Sequence, residues 1–239
     1  MRYGIITDIH SNLTALRTVL KQLDRMNCDG IICCGDIIGI GPNPEETVRE
    51  MIRVPGLIAV QGNHEGYLLE GMPSVFPNEE NMSSGEMEHH RWEHSLLSEE
   101  SVAFLRSLPK RIDFEAEGLS IAVMHSCMDN SGHFSGSVRN PTEHDLLTMF
   151  ADVKSDIIIY GHDHSRNICR GDRLYINVGS LGCPSKDHDI ARAGVLSIEN
   201  GRAVIEPVDV RYDVDEVIRQ IDDLNYPEAD VVKRIFYGL

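Results

Sequence analysis

Five short polar motifs, each placed directly after an apolar run, constrain the fold of this chain more than any other feature. In chain order they are Asp8-Ile9-His10, Gly35-Asp36, Gly62-Asn63-His64-Glu65, His125 and Gly161-His162-Asp163-His164. The apolar runs before them have the length of buried β-strands. Ligands of open α/β sheets bind beyond the carboxyl ends of the strands. The motifs therefore predict one shared site, assembled from several strand ends.

The segments between the motifs alternate between strand-like and helix-like patterns. A first helix is predicted after an N-cap at Ser11 or Asn12, and a second from Pro44 to Ile52 with proline near its start. The predicted strands are 2–7, 31–34, 57–60, 111–115, 119–124, 157–160, 166–170, 173–177, 193–199 and 202–208. The opening strand–helix–strand–helix–strand series predicts an α/β fold with a parallel sheet and helices packed on it.

The 239 residues show no internal repeat, low-complexity tract or flexible linker. We therefore expect a single domain over residues 1–239. It would carry a helical insertion at about 65–110 and a helical C-terminal tail at about 213–239, broken at Tyr226-Pro227. Packing of the tail on the domain is the default expectation, and a homodimer contact is the alternative.

Composition excludes several classes of function. A net charge of −16 argues against broad nucleic-acid binding, which needs a basic surface. The apolar runs are too short to span a bilayer, and the first residues lack a signal-peptide layout. The six cysteines form no C-x-x-C pair, which is typical of reduced thiols. We therefore predict a cytoplasmic protein with no membrane partner.

The motifs supply side chains suited to metal binding. Carboxylate, carboxamide and imidazole without thiolate suit manganese, iron or zinc. Two divalent ions would also offset the acidic charge if the substrate is a phosphate. Taken alone, each motif has a purely structural interpretation: a hydrogen-bonded loop histidine, or an aspartate that forms a turn or caps a helix. Only their expected co-location favours a functional site. The two-residue spacing of Asp8 and His10 predicts that both side chains share one strand face.

The ordered series resembles that of the calcineurin-like metallophosphoesterase superfamily, whose pattern is D-x-H, G-D, G-N-H-[DE], H and G-H-x-H. Every motif position is filled between residues 8 and 164. The resemblance implies a two-sheet β-sandwich flanked by helices, an α+β variant of the fold class above. Residues 177–184 are similar to the glycine-rich stretch of bacterial members described as phosphodiesterase-like or diadenosine-tetraphosphatase-like.

The resemblance also implies a role for each motif residue. Two divalent ions, manganese, iron or zinc, would share a hydroxide that attacks phosphorus. His64 would act as a general acid or a transition-state donor. The implied ligands are Asp8, His10, Asp36 and His164 for the first ion, and Asp36 as a bridge with Asn63, His125 and His162 for the second.

Departures from the superfamily pattern bear on the substrate. Phosphoprotein phosphatases of this superfamily carry G-D-x-V-D-R-G, where this chain has Gly39 and Ile40 in place of the second aspartate and the arginine. Gln61 stands where a second arginine usually precedes G-N-H-E. Arginine side chains bind terminal phosphates through two parallel hydrogen bonds. Because both arginines are missing here, we expect a diester or anhydride substrate, such as a small phosphoester or a dinucleotide.

Other functions remain open. A protein or small-molecule phosphomonoesterase and a non-catalytic scaffold could use the same fold. The segment His90-Arg91-Trp92-Glu93-His94 also matches the H-x-x-E-H motif of inverzincin metalloproteases, although we expect a solvated helix face there.

Contacts to substrate are the least specified part of the sequence. Candidates are Asn12, Arg139 and Arg192, with a helix N-cap as the stronger expectation for Asn12. His133, Lys110 and Lys186 are further candidates that we expect to be solvated surface groups.

Overall fold

The computed structural model describes residues 1–72, 82–135, 137–183 and 187–239, so Lys186 lies outside the described residues. The strands are β1 (Arg2–Ile6), β2 (Gly30–Cys33), β3 (Leu57–Ala59), β4 (Arg111–Ala116), β5 (Leu119–Met124), β6 (Ile157–Ile159), β7 (Asn167–Arg170), β8 (Leu174–Asn177), β9 (Ile190–Glu199) and β10 (Arg202–Arg211). The helices are α1 (Leu13–Arg25), α2 (Pro44–Ile52), α3 (Asn63–Leu69), α4 (Ser84–Ser95), α5 (Glu99–Ser107), α6 (Glu143–Met149), α7 (Val214–Leu224) and α8 (Ala229–Tyr237).

The strands form two five-stranded mixed sheets, in the orders β10-β9-β1-β2-β3 and β4-β5-β6-β8-β7. In the first sheet β1, β2 and β3 are parallel, and β9 runs antiparallel to β1. In the second, β5, β6 and β8 are parallel, with antiparallel strands at both edges. The two-sheet fold and the parallel pairing of β1, β2 and β3 are confirmed, and antiparallel strands from hairpins extend both sheets.

Alternation along the strands separates three apolar layers. Ile5 and Ile32 point into the layer between the sheets, where they join Ile121 and Ile159. Their neighbours, such as Ile6, point to the opposite side, against the helices. Each fully buried isoleucine contributes roughly 1.5–3 kcal/mol. A third layer packs α6 on the outer face of the second sheet. The order of layers is therefore helices, sheet, sheet, helix, flanking both sheets as expected.

Helix α1 begins at the predicted cap. The Asn12 side chain accepts a hydrogen bond from the backbone N–H of Ala15 at 3.0 Å, which satisfies a free donor of the first turn. The tail contains α7 and α8, which are separated by residues around Tyr226. Val217 and Ile221 of α7 are fully buried in the same apolar cluster as α1. The tail therefore packs on the helical layer, and a homodimer contact stays a prediction.

The expected solvated face of α4 is wrong. His90 and Glu93 are buried, at 1% and 0% exposure. Their side of the helix faces the loops after β1 and β2, where the Glu93 carboxylate accepts hydrogen bonds from Ser11 and Gly39. A polar helix face is stable in the interior when partners satisfy its charged group. In the described ranges, no helix has both the length and the hydrophobicity to cross a bilayer.

Candidate functional site

Loops that follow β1, β2, β3, β5 and β6 meet at one end of the two sheets. Backbone hydrogen bonds tie them together. The N–H of Asp8 donates to the backbone carbonyl of Gly35 at 3.1 Å, and the N–H of Gly161 donates to the backbone carbonyl of His125 at 2.9 Å. The glycine-rich stretch closes the loop after β1, since the N–H of Gly182 donates to the carbonyl of Asp8 at 3.0 Å. The motif side chains are thus held close together by main-chain contacts.

The loop backbone is unusual where the motif residues lie. Positive φ angles of 50° to 77° occur at Asp8, His10, Asp36, His162 and His164. For residues other than glycine this region is strained, and such strain collects at functional sites. The expectation that strand alternation aligns Asp8 with His10 is wrong, because β1 ends at Ile6. The left-handed turns of the loop bring the two side chains together instead.

Asp8, His10 and His164 form a first group of potential ligands, with ligand atoms within 4.8 Å of one another. The Nε2 atoms of His10 and His164 lie 2.9 Å apart, and His164 Nε2 lies 3.7 Å from Asp8 Oδ1. His10 Nδ1 faces the carbonyl of Ile38 at 3.3 Å. Because a carbonyl only accepts, Nδ1 carries the hydrogen and the lone pair on Nε2 of the neutral ring points into the group.

Asp36, Asn63, His125 and His162 form the second group. His125 Nε2 lies 3.2 Å from Asp36 Oδ2 and 3.0 Å from Asn63 Oδ1. His162 Nδ1 lies 3.0 Å from the same Asn63 oxygen and 3.3 Å from His125 Nε2. His125 Nδ1 lies 2.8 Å from the carbonyl of Cys34, so its outer nitrogen is fixed as the donor. Four side chains from four loops thus point at one space.

Asp36 lies between the two groups. Its Oδ2 is 3.8 Å from His10 Nε2 on one side and 3.2 Å from His125 Nε2 on the other. Asp36, His10 and His64 also form a potential ligand set within 4.8 Å, since His64 Nε2 is 3.9 Å from Asp36 Oδ2. Asp36 therefore lies within reach of both groups of side chains.

The site concentrates negative charge without lysine or arginine. Asp8 and Asp36 are 0% and 2% exposed, and within the described ranges neither forms an ion pair with lysine or arginine. Burial would raise the pKa of Asp36, but neighbouring His125 and His64 hold it well below its usual range. Burial would lower the pKa of His125, but Asp36 outweighs it and raises this pKa to about 9.

The pKa values of two further histidines are lowered, in contrast to that of His125. Burial and the adjacent His164 lower the pKa of His10 to about 4. Burial and His125 lower the pKa of His162 to about 4. Neutral imidazole is the form that binds metal. The site therefore offers buried carboxylates together with imidazole nitrogens and an amide oxygen, a combination that fits divalent cations. Binding of a metal ion would displace the proton shared by Asp36 and His125.

His64 is held by ring packing. Its ring centroid lies 4.8 Å from that of His10, 5.5 Å from Tyr67 and 4.9 Å from His90. Burial lowers the pKa of His64 well below its usual range, although Asp36 opposes this. His64 Nδ1 is buried without a hydrogen bond and lies over Gly39, where a Cβ atom would overlap it. The glycine that replaces the superfamily aspartate thus leaves room for the ring.

Glu65 supports the site, a role that the sequence does not predict although the residue belongs to the third motif. Its carboxylate accepts hydrogen bonds from the backbone N–H groups of Asp36, Ile37, Ile38 and Gly62, at 2.7–3.1 Å. Burial and the nearby charge of Asp36 raise the pKa of Glu65 to about 7. Glu65 thereby fixes the loop that carries Asp36.

Glu93 was missed as a supporting residue because its partners are distant in sequence. Glu93 Oε1 accepts hydrogen bonds from the Ser11 hydroxyl and the N–H of Gly39, each at 2.6 Å. Burial raises the pKa of Glu93, but neighbouring His90 and His89 outweigh this and lower it. Sequence reasoning also missed Ser137, whose Oγ lies 3.1 Å from His162 Nε2.

The predicted substrate contacts fall into different positions. Asn12 is fully buried, accepts from Ala15 and donates to the carbonyl of Gly182, which favours the capping role. Arg192 pairs with Asp187. Arg139 is exposed, two residues from Ser137.

Two positions that replace arginine in the superfamily pattern have structural partners. The Gln61 side-chain amide donates to the carbonyl of Leu105 at 3.1 Å. The carbonyl of Ile40 accepts from the Tyr226 hydroxyl at 3.0 Å. His133 and Lys110 lie outside the motif groups, His133 beside Asp129 and Lys110 beside Glu70.

Comparisons with known proteins identify the family of this chain. A family profile described as calcineurin-like phosphoesterase superfamily domain matches residues 1–201. The uncharacterized protein MJ0912 of Methanocaldococcus jannaschii is 28% identical over 258 aligned positions, covering 98% of this chain and 97% of that protein.

Two solved structures share the fold. A metallophosphoesterase from Sphaerobacter thermophilus superposes with a TM-score of 0.74 at 23% identity, covering 100% of this chain and 99% of that one. The hypothetical protein PH1004 from Pyrococcus horikoshii OT3 superposes with a TM-score of 0.82 at 15% identity, covering 98% and 97%. The profile match spans most of the chain, and the chain belongs to the calcineurin-like phosphoesterase superfamily.

Proposed function

We propose that this protein is a dinuclear-metal-dependent phosphoesterase that hydrolyses phosphodiester or phosphoanhydride bonds in small, nucleotide-type substrates. One observation carries the proposal. Asp8 and Asp36 are both buried among imidazole rings, and in the described part of the chain neither pairs with a lysine or arginine. Burial of carboxylates is costly, and divalent cations would compensate both of them in place of the proton that Asp36 and His125 share.

The two groups of side chains define which residues would hold the ions. Asp8, His10 and His164 would hold one, and Asn63, His125 and His162 the other, with Asp36 shared. Manganese, iron or zinc fits this mixture of oxygen and imidazole nitrogen. When bound, two such ions lower the pKa of water and neutralise charge that develops on the phosphoryl oxygens.

The chain's own residues supply the remaining steps. His64 lies beside Asp36 and outside the two main groups, so it is placed to donate a hydrogen bond or proton to the leaving oxygen. Glu65 and Glu93 hold the loops of Asp36 and Ser11 by backbone and hydroxyl contacts. Such preorganisation keeps the acceptor geometry fixed before substrate arrives.

The polar surroundings favour a diester or anhydride. Gln61 donates to Leu105, and Gly39 and Ile40 carry no charge, so these positions offer no bidentate grip on a dianionic phosphate. Arg139, exposed near Ser137, is the candidate for a contact with a second phosphate or sugar group. A phosphomonoesterase would need a stronger cationic contact than these residues provide.

We also propose that the chain works as one domain, with the α3–α5 region and the helical tail supporting the site. Glu93 of α4 holds Ser11 and Gly39. Tyr226, between α7 and α8, donates its hydroxyl proton to the carbonyl of Ile40. Both accessory regions thus contact loops that carry motif residues.

The test is a substrate panel after removal of metal and reconstitution with manganese, iron, zinc or magnesium. The panel contains a generic phosphodiester, a phosphomonoester, diadenosine tetraphosphate and a phosphoserine peptide. Asp36→Asn should lower kcat by on the order of 10³-fold on the best substrate, since it removes the shared ligand. Asp152→Asn, an exposed aspartate, is the matched control and should retain activity.

Two results would contradict the proposal. Faster turnover of the phosphopeptide than of the diester and dinucleotide, at equal metal loading, would assign the protein to the phosphomonoesterases. Absence of turnover with every metal and every substrate would favour a scaffold on the same fold.

A further inference from the structure

Helix α4 presents a third set of potential ligands, separate from Asp8 and Asp36. His90 and His94 are four residues apart, and Glu93 is three residues after His90, so all three share one face of the helix. One ligand atom from each lies within 4.8 Å of the others. These residues come from the H-x-x-E-H segment, which the dinuclear site does not use.

The ligand atoms of this face are short of hydrogen-bond partners. His90 Nδ1, Glu93 Oε2 and His94 Nε2 are buried and make no hydrogen bond within the described ranges. The side chains of His90 and Glu93 are 2% and 0% exposed. A buried polar atom without a partner costs about 1–3 kcal/mol, and more when the group is charged. Three such atoms on one face indicate a missing ligand that satisfies them together.

The spacing fits a cation. His90 Nδ1 and Glu93 Oε2 are 3.9 Å apart, which is too long for a hydrogen bond. Zinc binds imidazole nitrogen and carboxylate oxygen at about 2.0–2.2 Å, so an ion between the two atoms can reach both. Two imidazoles and one carboxylate, without thiolate, form a ligand set that zinc accepts with a fourth position left for water.

We propose that His90, Glu93 and His94 bind a further divalent transition-metal ion, at a site distinct from the dinuclear centre. The other carboxylate oxygen of Glu93 holds Ser11 and Gly39, so the ion would lock α4 against the two loops that carry His10 and Asp36. The ion has a structural role, since it fixes His90, whose ring packs at 4.9 Å from His64.

Zinc binding to the purified chain tests the site. The parent is Asp36→Asn, which weakens the dinuclear centre, and the variant adds His94→Gln. We expect the variant to bind one zinc equivalent fewer in an equilibrium titration and to lose part of the zinc-induced rise in Tm. His144→Gln in the same parent is the matched control, because His144 is an exposed histidine on α6. Equal zinc stoichiometry in the His94 variant and the control would overturn the proposal.

A second measurement avoids the variants. Crystals of the unmodified protein grown with zinc, measured at the zinc absorption edge, should give an anomalous peak in contact with His90, Glu93 and His94. Peaks confined to the dinuclear centre would overturn the proposal, even if the His94 variant fails to fold.

Discussion

The backbone N–H of Asp36 donates a hydrogen bond of 2.9 Å to the carboxylate of Glu65, which lies 29 residues further along the chain, in the first turn of α3. Asp36 therefore reaches the centre of the site in a conformation held by the last residue of the Gly62-Asn63-His64-Glu65 motif. A residue that holds no ion can thus determine where the bridging carboxylate lies. Such supporting contacts commonly set the orientation of metal ligands.

Replacing Glu65 with glutamine should weaken both the fold and metal binding. The amide has one acceptor oxygen, while the carboxylate uses both of its oxygens to accept from four backbone N–H groups. We expect a loss of about 3 kcal/mol in the free energy of unfolding, because the amide nitrogen leaves two backbone N–H groups without an acceptor and each unsatisfied buried donor costs about 1–3 kcal/mol. Urea denaturation of the metal-free protein measures it. Glu206→Gln, on an exposed position of β10, should stay within about 0.5 kcal/mol of wild type.

Replacing His64 with glutamine should lower kcat by about 10²–10⁴-fold without changing the metal content. The metal content should not change because the proposed ligands of both ions are other side chains. His64 Nε2 lies 3.9 Å from the Asp36 carboxylate. Elemental analysis beside steady-state kinetics separates the two effects. A variant that loses metal in proportion to activity would make His64 a ligand, as its grouping with His10 and Asp36 allows. His133→Gln, an exposed histidine, is the control.

The strand-end motifs were predictable because hydrophobic runs and their polar ends follow local rules. The loops after β1 and β2 illustrate the limit, since Asp8 and His10 converge through positive φ angles that strand alternation does not describe. The placement of β9 beside β1 depends on pairing between residues nearly two hundred positions apart. Such long-range pairing is set by tertiary packing, which local patterns do not carry.

The buried face of α4 was unpredictable for a similar reason. A polar segment is normally solvated, and Glu93 is buried only because Ser11 and Gly39, from distant loops, donate to it. In the sequence, Gly39 is a departure from the superfamily pattern. Its steric relationship to His64 becomes visible only once both loops are folded.

Glu45 should make stability depend on pH in the acid range. Backbone and hydroxyl hydrogen bonds from Ser98 and Ser101, with one from Arg49, outweigh burial and lower the pKa of Glu45 from 4.5 to about 2. A lowered folded-state pKa stabilises the fold above the unfolded-state pKa, and this contribution is lost as the pH falls from about 4.5 to about 2. The difference in unfolding free energy between wild type and Glu45→Gln should therefore be constant near neutrality and shrink below about pH 4.5.

The comparison variant for this prediction is Glu46→Gln, the next residue in the first turn of α2. Glu46 has the same relation to the helix dipole but is exposed. Chemical denaturation at a series of pH values measures both variants. A difference for Glu45→Gln that stays unchanged from pH 7 to pH 3 would contradict the assignment of these hydrogen bonds.

Gly39 should be as sensitive as His64, although it carries no side chain. Gly39 has a φ of 98°, and a Cβ atom there would overlap Nδ1 of His64. Gly39→Ala should therefore cost about 1–2 kcal/mol in stability and displace the His64 ring, with a loss of kcat approaching that of His64→Gln. Gly118→Ala is the matched control, because Gly118 has a φ of 82° with open space around its Cβ position. Gly118→Ala should show the effect of backbone strain alone. An equal loss of kcat in both variants would therefore contradict the steric explanation.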